Sequence, residues 1–597
     1  MRLRRARCRV ARRVDLLLLH PPSVYDFRKR AIFYGPISDL IPSSTVFEMY
    51  PLGFLTMVSH LEKAGWRTRI VNLGVRMIKD PDFDVPTFLA KHDPMVFGID
   101  LHWMPHAHGA LEVAKLAKAA HPDTPVLLGG LSATYYHHEL VSRPEVDFVL
   151  RGDTIEPPLT DLMACLADGK TPDHVPDLTW HDGQRVRVNA QSFTANQLDD
   201  FDVEPERLVR MVLRHADLRS VLPFSGWWQN PVGAVFLVKG CSHACVTCGA
   251  SAGACALMGT RKGPVHRSPT SVVRNVQAIA RLLRAPIYLV GDPLQAGPSY
   301  ADELVRALSA TRVRNEIGFE YFGMPPDEHF EQVGGALHRW SVEMSPESHD
   351  EAIRRVQDRT TFYSNKQLEA SIDAALAAGA SRVDLFFMIG LPGQDEASVQ
   401  ATIDYCAHLF ETTDKRLSCF ISPMGPFLDP ASSAFEKPES LGYKPLARTL
   451  EEHREHLVAP TWRDILTYET DKMDRDALVR ATYDAGERLN QLKLDSGRID
   501  PRRGREVAAR IAQARELAAR LDRLHEKAEP DPAATRALMG DMHTYSMSSV
   551  CHKEELFRPR HLLNYRLGQL TRLVLGYYAG RLVGRDRLRR RVAPAEL

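Results

Sequence analysis

Three of the nine cysteines in this 597-residue chain fall within eight positions, as Cys241, Cys245 and Cys248 of VFLVKGCSHACVTCGAS. Independent placement makes such crowding rare, so the CxxxCxxC spacing points to metal chemistry. The thiolate is the metal-binding form of cysteine. Three thiolates suit a 4Fe–4S cluster, because one iron then keeps a position open for a substrate or cofactor. A structural zinc wants four ligands, usually as two separated pairs. No second pair is nearby, and His243, His266 or Cys255 would have to complete the set. Inert thiols are the third reading.

The elements that must hold these thiols are legible around them. AVFLVKG reads as a strand running into the cysteines, and PIYLVGDP, IGFEYFG, RWSVEMS, RVDLFFMIGLPG and LSCFISPMG supply five more, with helices between them such as NKQLEASIDAALAAG. Residues 231–435 therefore fit a partial (β/α)6 barrel, whose reactive groups belong on the loops after the strands. Residues 1–165 also alternate strand and helix, from VDLLLLHPPS through YPLGFLTMVSHLEKAGW to VDFVLRGD. That order predicts an α/β, doubly wound Rossmann-like domain with its ligand above the strands' carboxyl ends, where Pro21, Pro22, Gly129, Gly130, Arg151 and Gly152 fall. Residues 166–230 are poorly periodic and read as a linker. Beyond about 436 the strand signal stops; Val507, Ile511, Ala514, Leu517, Leu521 and Leu524 keep helical spacing, so residues 436–597 are expected to form a helical C-terminal domain.

Composition narrows the partners. Hydrophobic content of 44% and charged content of 25% are those of ordinary globular protein. With 76 Lys and Arg against 75 Asp and Glu there is no global field to draw nucleic acid. The Arg-rich opening MRLRRARCRVARR precedes too short an apolar run for a signal peptide, and no stretch reaches the length that spans a bilayer. A cytoplasmic location is expected, where thiols stay reduced.

A CxxxCxxC after the first strand of a β/α barrel resembles the radical S-adenosylmethionine (SAM) enzymes. The resemblance implies that the cluster's open iron chelates the amino and carboxylate groups of SAM. In the order of the family's SAM contacts this chain offers Gly291 and Asp292 in VGDP, Glu343 and Ser345 in VEMSPES, and Ile389 and Gly390 in FMIGLPG. Thr247 stands where the family commonly has an aromatic residue. The domain before the barrel is similar to the cobalamin-binding domain of the B12-dependent subclass, through HPPS, VFGIDL, LLGGLSAT and VDFVLRGDTIEPPL. Asp100 and His102 match the start of a DxHxxG cobalt-ligand sequence, but Pro105 replaces the glycine and the segment follows the third strand instead of the first. No cobalt ligand is assigned from the sequence.

The resemblance to these class B enzymes implies methylation of an unactivated carbon, through a 5′-deoxyadenosyl radical and methylcobalamin, with a flavodoxin- or ferredoxin-type electron donor. A cobalamin-dependent rearrangement or cyclisation is the alternative, and a non-enzymatic iron–sulfur or zinc protein a third. The substrate is read only as a small molecule or lipid, and no catalytic residue is assigned. The segment 561–597, with eight Arg among leucines and tyrosines, could pack or lie on an anionic membrane as a basic amphipathic helix. Cys8 and Cys165 are expected to be inert; Cys551, in a polar stretch, could reach the active site or be an unremarkable lone thiol.

Overall fold

The computed structural model describes residues 14–36, 41–357, 362–525, 550–556 and 564–582. The first sheet has the order β2-β1-β3-β4-β5-β6-β7. Its strands are β1 (Leu16–His20), β2 (Thr68–Asn72), β3 (Val96–Asp100), β4 (Val126–Gly129), β5 (Phe148–Leu150), β6 (Leu178–His181) and β7 (Val186–Val188). β1 to β5 are parallel. Helices cover both faces, so β1 and β3 are buried along their whole length and read as continuous apolar runs. The strand order reverses between β1 and β3, which opens a crevice at their carboxyl ends, His20 and Asp100.

β6 and β7 are antiparallel and extend this sheet inside the stretch expected to be a linker. The hairpin turns at Asp182 and Gly183, where the Asp182 carboxylate accepts the N–H groups of Gln184 and Arg185. An Asp-Gly pair between two short strands is the signal that poor periodicity concealed.

The second sheet is wholly parallel, in the order β15-β14-β13-β12-β11-β8. It comprises β8 (Gly233–Phe236), β11 (Ile287–Val290), β12 (Ile317–Tyr321), β13 (Trp340–Glu347), β14 (Val383–Ile389) and β15 (Leu417–Pro423). These are the six strands expected of the partial barrel. β9 (Val238–Lys239) and β10 (Val265–His266) pair antiparallel, and the cysteine loop runs between them. Alternation sorts the side chains of this sheet. On β14, Leu385, Phe387 and Ile389 are fully enclosed, while Phe386 and Met388 on the other face are partly open. In the open phase Glu320, Glu343, Asp384 and Ser418 lie in register across four strands.

The C-terminal region is not purely helical: β16 (Tyr443–Pro445) and β17 (Tyr468–Thr470) form an antiparallel pair, each too short to leave a period in the sequence. The helices Arg475–Asp495 and Pro501–His525 follow, with Val507, Ile511, Ala514, Leu517 and Leu521 buried as their spacing predicts. The Leu524 side chain lies outside the described residues, as do residues 1–13 and most of the basic tail. One apolar core runs through both sheets and these helices, and a second lies under the other face of the first sheet. Among the described residues no helix is long and apolar enough to cross a membrane.

Candidate functional site

The carboxyl edges of the two sheets meet. Trp103, on the loop after β3, donates its Nε1–H to Asp429 Oδ1 at 3.2 Å, and Asp429 Oδ2 accepts the Gly249 N–H at 3.0 Å, one residue past Cys248. Burial pushes the Asp429 carboxyl up from its ordinary range. A second tie joins the loop after β5 to the cysteine loop. Arg261, enclosed at 3% exposure, grips both oxygens of Asp153 at 2.7 and 3.0 Å, and Lys239 Nζ donates to the Asp153 carbonyl at 2.6 Å. A buried bidentate pair fixes direction as well as distance. The loops after β3 and β5 are thereby held against the loop that carries the three cysteines.

Cys241, Cys245 and Cys248 are half-buried, and none is in a disulfide. Cys241 Sγ accepts the His243 N–H at 3.4 Å and the Gln295 amide at 3.6 Å; Cys248 Sγ accepts the Ala250 N–H at 3.4 Å. Donors of this kind stabilise thiolates and tune a bound cluster. Burial, reinforced by Asp429 and the neighbouring thiols, pushes the Cys248 thiol far up when no metal compensates. Among the described residues the one group that brings three possible ligand atoms within 4.8 Å is His20, Asp100 and His102. The three cysteine sulfurs do not lie that close together. Cys255 Sγ donates to the Ala250 carbonyl at 3.5 Å.

The residues expected to contact SAM divide into two sets. Glu343 and Ser345 lie on the open face of β13, next to a bulge that follows Met344. Gly291 follows β11 with φ at +106°, and its N–H donates to Glu320 Oε2 at 2.9 Å. A Cβ on Gly291 would stand 2.6 Å from Val238 Cγ1, so the turn requires glycine. Asp292 behaves differently from its expectation: it is buried, its Oδ1 caps the following turn by accepting from Leu294 N, and its Oδ2 accepts from Phe322 N at 2.9 Å. Desolvation raises its pKa. Asp292 shapes the turn, and Glu320 is the carboxylate beside Gly291 that the sequence reading missed. Ile389 is fully enclosed on the helix-packed face, and the neighbouring Met388 takes the open face. Period-two alternation thus puts Met388, and not Ile389, on the open face. Gly390 donates its N–H to Gln394 Oε1 and its carbonyl accepts from Tyr443.

On the first sheet, Pro21, Pro22, Gly129, Gly130 and Gly152 do collect at the carboxyl edge. Gly109 packs so tightly on Pro22 that a Cβ there would fall 1.8 Å from the Pro22 carbonyl oxygen. Gly129 and Gly152 leave room, their nearest atoms lying at 3.5 and 3.8 Å from a built Cβ. Arg151 is a correction: it is buried, with Nε on the Asp177 carbonyl and Nη2 on the Asn189 carbonyl, so it braces the β6–β7 hairpin. The hairpin's absence from the sequence reading is what made Arg151 look free. Sequence reading also missed a nest of imidazoles here, because His20, Asp100, His102 and His106 come from two distant segments. The imidazoles of His20 and His102 hold the Asp100 carboxyl far below its usual range, against the opposing effect of burial. Burial pushes the His106 pKa down to about 3.

Residues 40–157 match the B12 binding domain family, and residues 235–406 match the radical SAM superfamily. The chain thus joins a B12-binding domain to a radical SAM domain, the class that its two sheets and cysteine loop define. It is 24% identical over 295 residues to the hopanoid C-3 methylase of Methylococcus capsulatus, covering 48% of this chain and 50% of that one. It is 23% identical over 239 residues to the anaerobic magnesium-protoporphyrin IX monomethyl ester cyclase of Synechocystis, covering 39% and 42%. The chain spans about half the length of the curated relatives it matches. Its fold resembles that of TsrM, a radical SAM methyltransferase from Kitasatospora setae solved with cobalamin and a 4Fe–4S cluster, at a TM-score of 0.56, 16% identity, and coverage of 82% of this chain and 89% of that one.

Proposed function

We propose that this protein is a cobalamin-dependent radical SAM enzyme that methylates an unactivated carbon of a small-molecule or lipid substrate. Such a carbon has no lone pair with which to attack SAM, so it needs both a hydrogen-abstracting radical and a separate methyl source. When bound, the cluster with SAM supplies a 5′-deoxyadenosyl radical and cobalamin supplies the methyl group. The observation that carries the reading is the junction of the two carboxyl edges, through Trp103, Asp429 and Gly249 and through Asp153 and Arg261. This junction supports a reading in which the corrin edge and the cysteine loop face one chamber.

Within that chamber Cys241, Cys245 and Cys248 hold the cluster. Gly291, Glu320, Glu343, Ser345 and Met388 line the barrel mouth for SAM, with Gly390 closing the turn after β14. Pro21, Pro22, Gly129, Gly130 and Gly152 receive the corrin. A flavodoxin- or ferredoxin-type protein of the cytoplasm delivers the electron.

A lipid substrate is favoured by the helix Leu567–Leu582. Leu570, Leu573 and Tyr577 pack inward, yet Leu567, Leu575, Tyr578 and Leu582 are 60%, 65%, 50% and 89% exposed. At about 100° per residue these four share an arc of roughly 80°. An outward apolar stripe beside Arg572 and Arg581 suits peripheral contact with an anionic membrane.

Anaerobic reconstitution with methyl-labelled SAM tests the reaction. Formation of 5′-deoxyadenosine with label in a carbon-methylated product supports it. The relative named as a cyclase favours the alternative, a ring closure without methyl transfer, in which case 5′-deoxyadenosine forms and the product carries no label.

A further inference from the structure

At the switch point of the first sheet one carboxylate serves two imidazoles. Asp100 Oδ1 meets His20 Nδ1 at 2.9 Å, and Oδ2 meets His102 Nδ1 at 2.6 Å. His20 commits its other nitrogen to the Phe47 carbonyl at 3.2 Å. His106 bonds the same carbonyl through Nε2 at 2.8 Å and packs its ring 4.9 Å from the centroids of both His20 and His102. His20 and His106 are enclosed; the His102 side chain keeps 28% exposure, and no protein atom among the described residues bonds its Nε2. An imidazole whose Nδ1–H is held by a carboxylate carries its lone pair on Nε2, the arrangement in which histidine ligates metals.

The placement agrees with the chemistry. His102 follows β3 at the crevice where an open α/β sheet binds its ligand. Its backbone lies against Gly130, where a Cβ would come 2.4 Å from the His102 Cα at a φ of +116°. The next residue, Trp103, reaches across to Asp429 and so to the cysteine loop. The two departures that argue against a ligand in the sequence both have a structural answer. β3 is the neighbour of β1 at the switch point, so a histidine after either strand enters the same crevice. Pro105 sits in a short turn, Met104–His106, that folds the His106 ring back as a support for His102.

We propose that His102 would ligate the cobalt of a bound corrin through Nε2. Asp100 fixes the tautomer and His20 anchors Asp100. The inference rests on the cobalamin reading above and adds a ligand to it.

The test is electron paramagnetic resonance of the full chain loaded with natural-abundance cobalamin and poised as cob(II)alamin. One nitrogen ligand splits each high-field cobalt line into a triplet. In protein grown on 15N-histidine each triplet becomes a doublet if the ligand is a histidine. The doublets should vanish in His102→Ala and in His102→Gln, which keeps size and polarity if the alanine variant loses the corrin. Unsplit lines in the parent protein, triplets that survive labelling, or doublets that survive both substitutions overturn the assignment. Protein that retains no corrin overturns the cobalamin reading together with this one, which separates the two failures.

Discussion

The indole of Trp103 and the carboxylate of Asp429 are hydrogen-bonded at 3.2 Å although 326 residues separate them in the chain. The other oxygen of Asp429 holds Gly249, so one half-buried carboxyl ties the loop after β3 to the cysteine loop. Replacing it should disturb geometry before it disturbs cofactor content. Asp429→Ala leaves two donors unsatisfied and should cost about 1–3 kcal/mol of stability. Turnover should fall roughly 100-fold, the usual penalty of misplacement by about an ångström. Iron and cobalt analysis beside single-turnover 5′-deoxyadenosine formation checks this, with metal content expected to be unchanged.

Adjacent residues on β14 should respond in different currencies of measurement. Met388→Ala acts on the open face and should raise the KM for SAM several-fold with little effect on folding. Ile389→Ala opens a cavity on the packed face and should cost about 2–5 kcal/mol in denaturant unfolding, with KM for SAM near that of the parent. The reverse pattern would restore Ile389 as the SAM contact.

Lys493 Nζ and Glu555 Oε2 pair at 2.7 Å with side chains 3% and 10% exposed. Glu555→Gln strands a buried ammonium and should destabilise the protein by about 3–5 kcal/mol near pH 7. Burial opposes the Glu555 charge, but Lys493 more than offsets it and lowers the carboxyl pKa. A lowered folded pKa means that this stabilisation is complete above the unfolded carboxyl value near ~4.3 and is lost as pH falls through the folded value. The difference between parent and variant in thermal unfolding should therefore shrink on acidification from pH ~7 to below ~4.

The exposed stripe on Leu567–Leu582 predicts association with lipid. The full chain should co-float with vesicles of anionic composition, less with neutral ones, and less still at high salt. Leu567→Ser combined with Leu575→Ser and Leu582→Ser should abolish flotation and leave the melting temperature nearly unchanged, since these side chains are mostly exposed among the described residues.

What the sequence discloses depends on how local the signal is. Cys241, Cys245 and Cys248 are local, and so are the strand-end glycines, because thiol spacing and backbone turns are written in consecutive residues. The six barrel strands are legible for the same reason. Arg151 was misread because its acceptors, the carbonyls of Asp177 and Asn189, belong to a hairpin of two very short strands. The facing of Ile389 is not legible because a continuous apolar strand, FFMI, hides which face is which. Asp100 had a visible neighbour in His102 but its second partner, His20, lies 80 residues away. Asp429 has no sequence signal at all: its donor Gly249 lies 180 residues before it, and only the docking of the two sheets brings Trp103 to it.

The central claim is that corrin and cluster share one chamber, and magnetic coupling reads it most directly. Full-length protein is loaded anaerobically with both cofactors, poised with cob(II)alamin and the reduced cluster together, and compared with protein carrying each paramagnet alone. The account predicts a spectrum split or broadened by spin–spin interaction, with coupling weakened in Asp429→Ala. A spectrum equal to the sum of the two separate signals would contradict it.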